Sequence, residues 1–196
     1  MVMTISLLSV IILILSIVLF KNHERLQDEK QSMYERFLNR LYFSIDDSIN
    51  SFTYLIDNKP KGVELNEAIH QVQLQLVKTN MVLNDAHDFM NSEVYPAQFF
   101  RDAPGFLYGI KGTVSNGNSK DKYFYEVQPL AQDGHLDEKE IHLLMTLKNY
   151  MVNAKEEMYS KKTHQENPNL TITQLNNILL KYLNKYPNEI YSDAFY

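Results

Sequence analysis

The chain has 196 residues, with 19 Lys and Arg against 24 Asp and Glu, a net charge of −5, and neither cysteine nor tryptophan. This mildly acidic balance argues against nucleic acid or an anionic bilayer surface as the main partner, because both select a basic face. Without cysteine there is no thiol chemistry and no disulfide, which fits a reducing cytosol and a disulfide-free exterior alike.

The run that begins at Val2 and ends at Phe20 carries no charge, no Pro and no Gly, and its only polar residues are Thr4, Ser6, Ser9 and Ser16. As a helix it would cover roughly 28 Å, close to the ~30 Å apolar core of a bilayer. Its hydroxyls can bond back to carbonyls one turn earlier. A removable secretory signal would have a basic start, a shorter apolar core and a small-residue cleavage site. A buried core helix of a small domain would show a polar face. The run therefore reads as an uncleaved single span, with residues 1–21 as anchor and residues 22–196 as one helical domain. Only the α-amino group precedes it, whereas Lys21, Arg25 and Lys30 follow. Counting basic flanks places the domain in the cytoplasm, although Glu24, Asp28 and Glu29 dilute the signal.

Beyond the anchor, Leu26, Met33, Phe37, Leu41, Ile45, Ile49, Phe52 and Ile56 recur at steps of three, four or seven. That is one helical face, continuing without a breaker to about Asp57, so the span is expected to lead straight into a long helix. Pro60 and Gly62 then break it. In the next segment Leu65, Ile69, Val72, Leu76, Thr79, Leu83, Ala86 and Met90 alternate four and three apart. This heptad-like stripe predicts a helix of about thirty residues packed at a shallow angle on a neighbour. Its partner is either the preceding helix, through an antiparallel hairpin favoured by the short turn, or a helix of another chain.

Residues 92–136 lose the period and gather most of the Gly and Pro. Segments 106–114 and 123–127 are rich in aromatic and β-branched residues and flank 115–119, Ser-Asn-Gly-Asn-Ser. A small β-hairpin near 106–127 lying against the helices is expected, the alternative being an ordered loop. Asp137 and Glu140 form a capping box for a third long helix, which should end around Lys161 to His164. Thr173 is the expected N-cap of a last helix that Pro187 stops. The tail after it keeps Ile190, Tyr191, Phe195 and Tyr196, which either dock into the core, the favoured reading, or serve recognition. The fold class is thus mainly α: a transmembrane helix continuing into an antiparallel bundle of about four helices with a small hairpin insertion.

No constellation for catalysis emerges. The histidines show no ligand spacing, and Asp85, His87 and Asp88 are the one dense cluster of potential ligands. On a helix, His87 points away from the other two, so a solvated face is the simpler reading and no metal is expected. There is no Gly-x-Ser-x-Gly elbow and no phosphate-binding glycine loop, so no cofactor is expected either. Carboxylate pairs such as Asp46–Asp47 and Glu156–Glu157 sit at exposed positions of helical patterns, where they serve solubility. With 13 Tyr and 10 Phe, aromatics concentrate in the middle, at Phe99, Phe100, Phe106, Tyr108, Tyr123 and Tyr125. They form either a core under the hairpin or an interface or pocket. The expectation is a membrane-anchored helical protein acting by protein–protein contact as a scaffold or assembly subunit, with a protein partner or a second copy of itself. The alternative is a sensory or small-ligand-binding module whose pocket lies among those aromatics.

Overall fold

The computed structural model describes residues 2–115 and 122–196, with side chains over 13–113 and from 124 onward. The chain divides into two compact units, Met1–Phe37 and Leu38–Tyr196, so the boundary expected after residue 21 falls inside the first. A single helix, α1, runs Val2–Asn58. Among the described residues no helix is long and apolar enough to cross a membrane, and the span expected over residues 2–20 lies largely, at 2–12, outside the described side chains. In the described part of that run, Leu13, Ile14, Leu15, Ile17, Val18, Leu19 and Phe20 are all exposed. Further along the first unit, Arg25 pairs with Glu29 at 3.3 Å and Gln31 with Glu35 at 2.9 Å, each one turn apart.

The second unit is mainly helical, as expected. Its elements are the end of α1, α2 (Gly62–Asp85), α3 (Phe99–Tyr108), strands β1 (Ile110–Ser115) and β2 (Lys122–Val127), α4 (Glu138–Met158), the two-residue strands β3 (Tyr159–Ser160) and β4 (Gln165–Glu166), α5 (Ile172–Tyr182) and α6 (Pro187–Phe195). The end of α1 and α2 form the expected antiparallel hairpin: Tyr54 bonds Glu64 at 2.7 Å, while Ser44 and Ser48 bond Thr79 at 2.9 and 3.2 Å. Ser48 and Thr79 are fully enclosed, so these hydroxyls satisfy each other inside an otherwise apolar seam. The stripe Leu65, Ile69, Val72, Leu76 and Leu83 is buried, at most 6% exposed. Its last turn is a π-helix, Ala86–Met90, which leaves Phe89 83% exposed.

The middle segment differs from its reading as strand and loop. Residues 106–108 belong to α3, despite Pro104 and Gly105 within it. Pro104 removes one ladder donor, yet Phe99, Phe100, Ala103, Phe106 and Leu107 share one face and are 0–1% exposed. Burying three phenylalanines at about 1.5–3 kcal/mol each outweighs one lost hydrogen bond of about 1 kcal/mol. The hairpin itself is present but begins at Ile110, with Gly112 opposite Tyr125 and Ile110 opposite Val127. Its expected turn lies, over 116–119, outside the described residues. Gly109 has φ of +89° and carries the chain from α3 into β1 against the ring of Pro129, where a side chain would clash.

The capping box at Asp137 is present: Glu140 N donates to Asp137 at 2.7 Å, and Asp137 N donates to Glu140 at 2.9 Å. Helix α4 stops at Met158, earlier than expected, because the chain turns back as the β3–β4 hairpin with His164 at φ +57°. Glu166 in that hairpin is nearly buried and accepts two bonds from Asn39 Nδ2, at 3.0 and 3.2 Å. Thr171, two residues before the expected cap, opens α5 with its own capping box to Gln174. Helix α5 ends at Tyr182, and Pro187 opens α6 where it had been read as a stop. A proline ahead of one more turn of chain is equally suited to position N1, where no donor is needed. Helix α2 packs on α3, and α4 packs on both α5 and α6.

Candidate functional site

Two concave regions of the second unit carry chemistry. One is an open groove of about 790 Å³ along α1 and α2, lined by Asp47, Tyr54, Glu64, Glu67 and His70 among others. Apart from Ala68 its lining residues carry polar groups, and its most specific bond, Tyr54 to Glu64, raises the tyrosine pKa by hydrogen bonding and then by charge. Its carboxylates and His70 are exposed to water, so nothing in it is held ready for a reaction.

The other region is a cleft of about 800 Å³ between β2 with the loop after it, the first turn of α4, and α6. Its floor is apolar: Val127, Leu130, Leu143 and Ala194 are each less than a tenth exposed. Three rings of α6 and its end form one wall. Tyr191 lies 5.0 Å from Phe195 at 45° and 6.0 Å from Tyr196 at 63°. Behind it, Tyr125 packs on Tyr191 at 5.1 Å. Burial, and then a hydrogen bond with Tyr196, raises the Tyr191 pKa.

Helical spacing explains the wall. Ile190 and Ala194, four apart, turn inward and are 0% and 2% exposed. Tyr191 and Phe195, also four apart, lie on the adjacent stripe and line the cleft. Helix α6 is fixed to α4 by the Tyr150 hydroxyl, which bonds Asp193, and Lys185 lies 3.5 Å from the same carboxylate. Desolvation, and then the bond to Asp193, holds the Tyr150 pKa well above the ordinary tyrosine range.

The rim is acidic. Glu126 is paired with Lys111 at 2.5 Å and accepts from Gln128 at 2.8 Å, which together lower its pKa. Asp137 and Glu140 are taken up by the capping box, and Glu140 also receives Ala131 N at 2.7 Å. The Glu138 carboxylate has no hydrogen-bond or ion-pair partner among the described residues.

The residues singled out from sequence are distributed otherwise. Phe99, Phe100 and Phe106 are fully buried in the core. Tyr108 is half exposed and bonds Gln73 at 2.8 Å, Tyr123 has no described side chain, and Tyr125 is 8% exposed beneath the cleft wall. His87 bonds the Val94 carbonyl at 2.8 Å, and no group of three or more His, Asp or Glu is gathered to hold a metal among the described residues. The cleft wall itself was visible only as an aromatic tail. Its signal, the i and i+4 pairs 190/194 and 191/195, depends on reading Pro187 as a helix start. Comparison with family models, with characterised proteins and with solved structures finds no match to this chain.

Proposed function

We propose that this chain is a single-pass, membrane-anchored helical protein that works by protein–protein contact, as a scaffold or assembly subunit, without a catalytic step of its own. The observation that carries the contact reading is the outer face of α2. Its inner stripe is spent on packing, yet Leu74, Val77 and Met81, at i, i+3 and i+7, are 37–56% exposed. An apolar row at that spacing on the solvent side is the pattern by which a helix engages another chain.

The anchor reading rests on the first unit. Each of the seven large apolar side chains from Leu13 to Phe20 is at least 50% exposed. A helix apolar on all sides belongs in a core or a bilayer, and transferring seven such side chains from water favours the bilayer by about 10–20 kcal/mol. The basic flank Lys21, Arg25 and Lys30 supports a cytoplasmic second unit.

A photo-cross-linking residue at Met81 or Phe89 in the full chain, expressed in cells, should give a discrete adduct that Leu74→Asp and Val77→Asp abolish while the melting temperature holds. No adduct at either position would overturn the contact reading. Resistance of the chain to alkaline carbonate extraction, lost on deletion of residues 2–20, tests the anchor, and recovery of the intact chain in the soluble fraction would refute it. Because the chain has no cysteine, Phe89→Cys reports the side. Labelling of intact cells by an impermeant maleimide would place the unit outside.

A further inference from the structure

The cleft on α6 is independent of the α2 face, and its parts agree on a ligand class. Its volume of about 800 Å³ is that of a small-molecule site, with an apolar floor and a few polar groups at the mouth. Tyr191 is inclined at 45° to Phe195 and at 63° to Tyr196, so the three rings do not stack flat and present faces and edges in different directions along the cleft. An aromatic face attracts a cation through the negative centre of the ring, most of all a cation that also carries apolar groups to pack on the ring and on the apolar floor.

The charges select the same sign. With Glu126 neutralised by Lys111, Asp137, Glu138 and Glu140 still line the cleft against one lysine, Lys139, and His142. An anion would be drawn to the first amides of α4, but the Asp137 and Glu140 side chains already occupy that helix end, at 2.7 and 2.9 Å. A bare metal ion would need converging oxygen ligands, whereas the wall here is carbon. Glu138 remains as the carboxylate with no described partner.

We propose that the cleft between the start of α4, β2 and α6 is a binding site for a small, free alkylammonium ion, with Tyr191, Phe195 and Tyr196 forming the one wall against which the ammonium group packs and Glu138 balancing its charge at the rim. The site adds a ligand to the contact function proposed above and does not rest on it.

The test uses the full chain in a neutral maltoside detergent, titrated with choline chloride and with its uncharged carbon isostere 3,3-dimethylbutan-1-ol, followed by tyrosine fluorescence and calorimetry. Choline should bind saturably, and the isostere about tenfold more weakly, since the shape is shared and only the charge differs. Tyr196 is 96% exposed and Glu138 is exposed on the first turn of α4, so their replacement does not threaten the fold. Tyr196→Leu and Glu138→Gln should each weaken choline binding about threefold or more at an unchanged melting temperature, and Tyr54→Leu, on the other groove, should not. Phosphocholine should bind more weakly than choline because the acidic rim repels its phosphate. The proposal is overturned by equal binding of choline and the isostere, by no saturation of choline up to about 50 mM, by unchanged binding in Tyr196→Leu, or by phosphocholine binding more tightly than choline.

Discussion

The contact between Gly112 and Tyr125 offers a sharp test of how the hairpin is joined to the helices. The two residues face each other across the β1–β2 ladder, and the tyrosine ring occupies the space above the glycine. A Cβ at position 112 would lie well inside van der Waals contact distance of the ring's Oη, Cζ and Cε1 atoms. The ring cannot swing aside freely, because it is 8% exposed and packs on Tyr191 at 5.1 Å. Gly112→Ala must therefore expel it. The loss combines burial of one large side chain, about 1.5–3 kcal/mol, with the ring pair, about 0.5–1.5 kcal/mol. Relief of the strand glycine's excess entropy returns roughly 0.5–1 kcal/mol. The net is a destabilisation of about 1–4 kcal/mol, to be read from urea unfolding of the full chain in detergent. A double-mutant cycle isolates the cause: in a Tyr125→Ser background the ring is absent, and Gly112→Ala should be neutral or slightly stabilising. A change below about 0.5 kcal/mol in the wild-type background, or the same loss in both backgrounds, would refute the reasoning. Since Tyr125 backs the cleft wall, Gly112→Ala should also weaken choline binding.

Other expectations can be checked on the same material. Thr171→Ala removes the side chain that accepts Gln174 N at 3.2 Å and should cost about 1 kcal/mol in thermal or urea unfolding, with Thr171→Ser close to wild type. Thr79→Val deletes a hydroxyl that meets Ser44 and Ser48 inside the α1–α2 seam and should cost about 1–2 kcal/mol, whereas a gain in stability would show that the seam tolerates an apolar residue. Val72→Asp should unfold the second unit by near-ultraviolet circular dichroism, because its side chain is fully buried, and a folded variant would contradict the packing of α2. The tyrosine pKa values set an alkaline limit. For Tyr150 burial and Asp193 raise the folded value above the unfolded value of 10.0, so the folded state holds its proton more tightly. That stabilisation is complete below pH 10 and is lost as the pH rises through the folded value. Tyr150→Phe should therefore be less stable than wild type at pH 8 and show a shallower fall above pH 10, and parallel pH profiles would count against it.

What could be read from sequence follows the strength of local signals. The α1 and α2 stripes were legible because burial on one side forces a period of three and four, and nothing competes with it over 24 residues of α2. The Asp137 box was legible because a cap is chemistry confined to four consecutive residues. Helix α3 was not, because Pro104 and Gly105 speak against a helix locally, while the burial of Phe99, Phe100 and Phe106 that decides the matter comes from α2 and the rest of the core. Pro187 was misread for the opposite reason: its local meaning is two-sided, a stop for one helix or the first position of another, and only the contacts of Ile190 and Ala194 choose between them. The cleft lay beyond sequence reasoning because its floor is drawn from residues 127, 130, 143 and 194, on four different segments.

The aromatic tail resolves into two roles by geometry alone. Docking and recognition are alternatives for residues 188–196 only if the segment acts as a single unit. Once Pro187 starts a helix, a rise of one residue rotates the side chain by about 100°, so neighbouring positions face different surroundings. Ile190 and Ala194 go to the core, and removing either should reduce stability, whereas Tyr191, Phe195 and Tyr196 face an opening whose floor is already filled. Tyr191 serves both roles, since it packs on Tyr125 and also borders the cleft, while Phe195 and Tyr196 border the cleft beside it. The bonds that hold α6, from Tyr150 and Lys185 to Asp193, sit on a third face and touch neither set. Tyr191 is held from behind by Tyr125, and the backbone that carries it by the anchoring of Asp193, so this part of the wall is ordered before any ligand arrives, which is the condition for a preorganised binding surface.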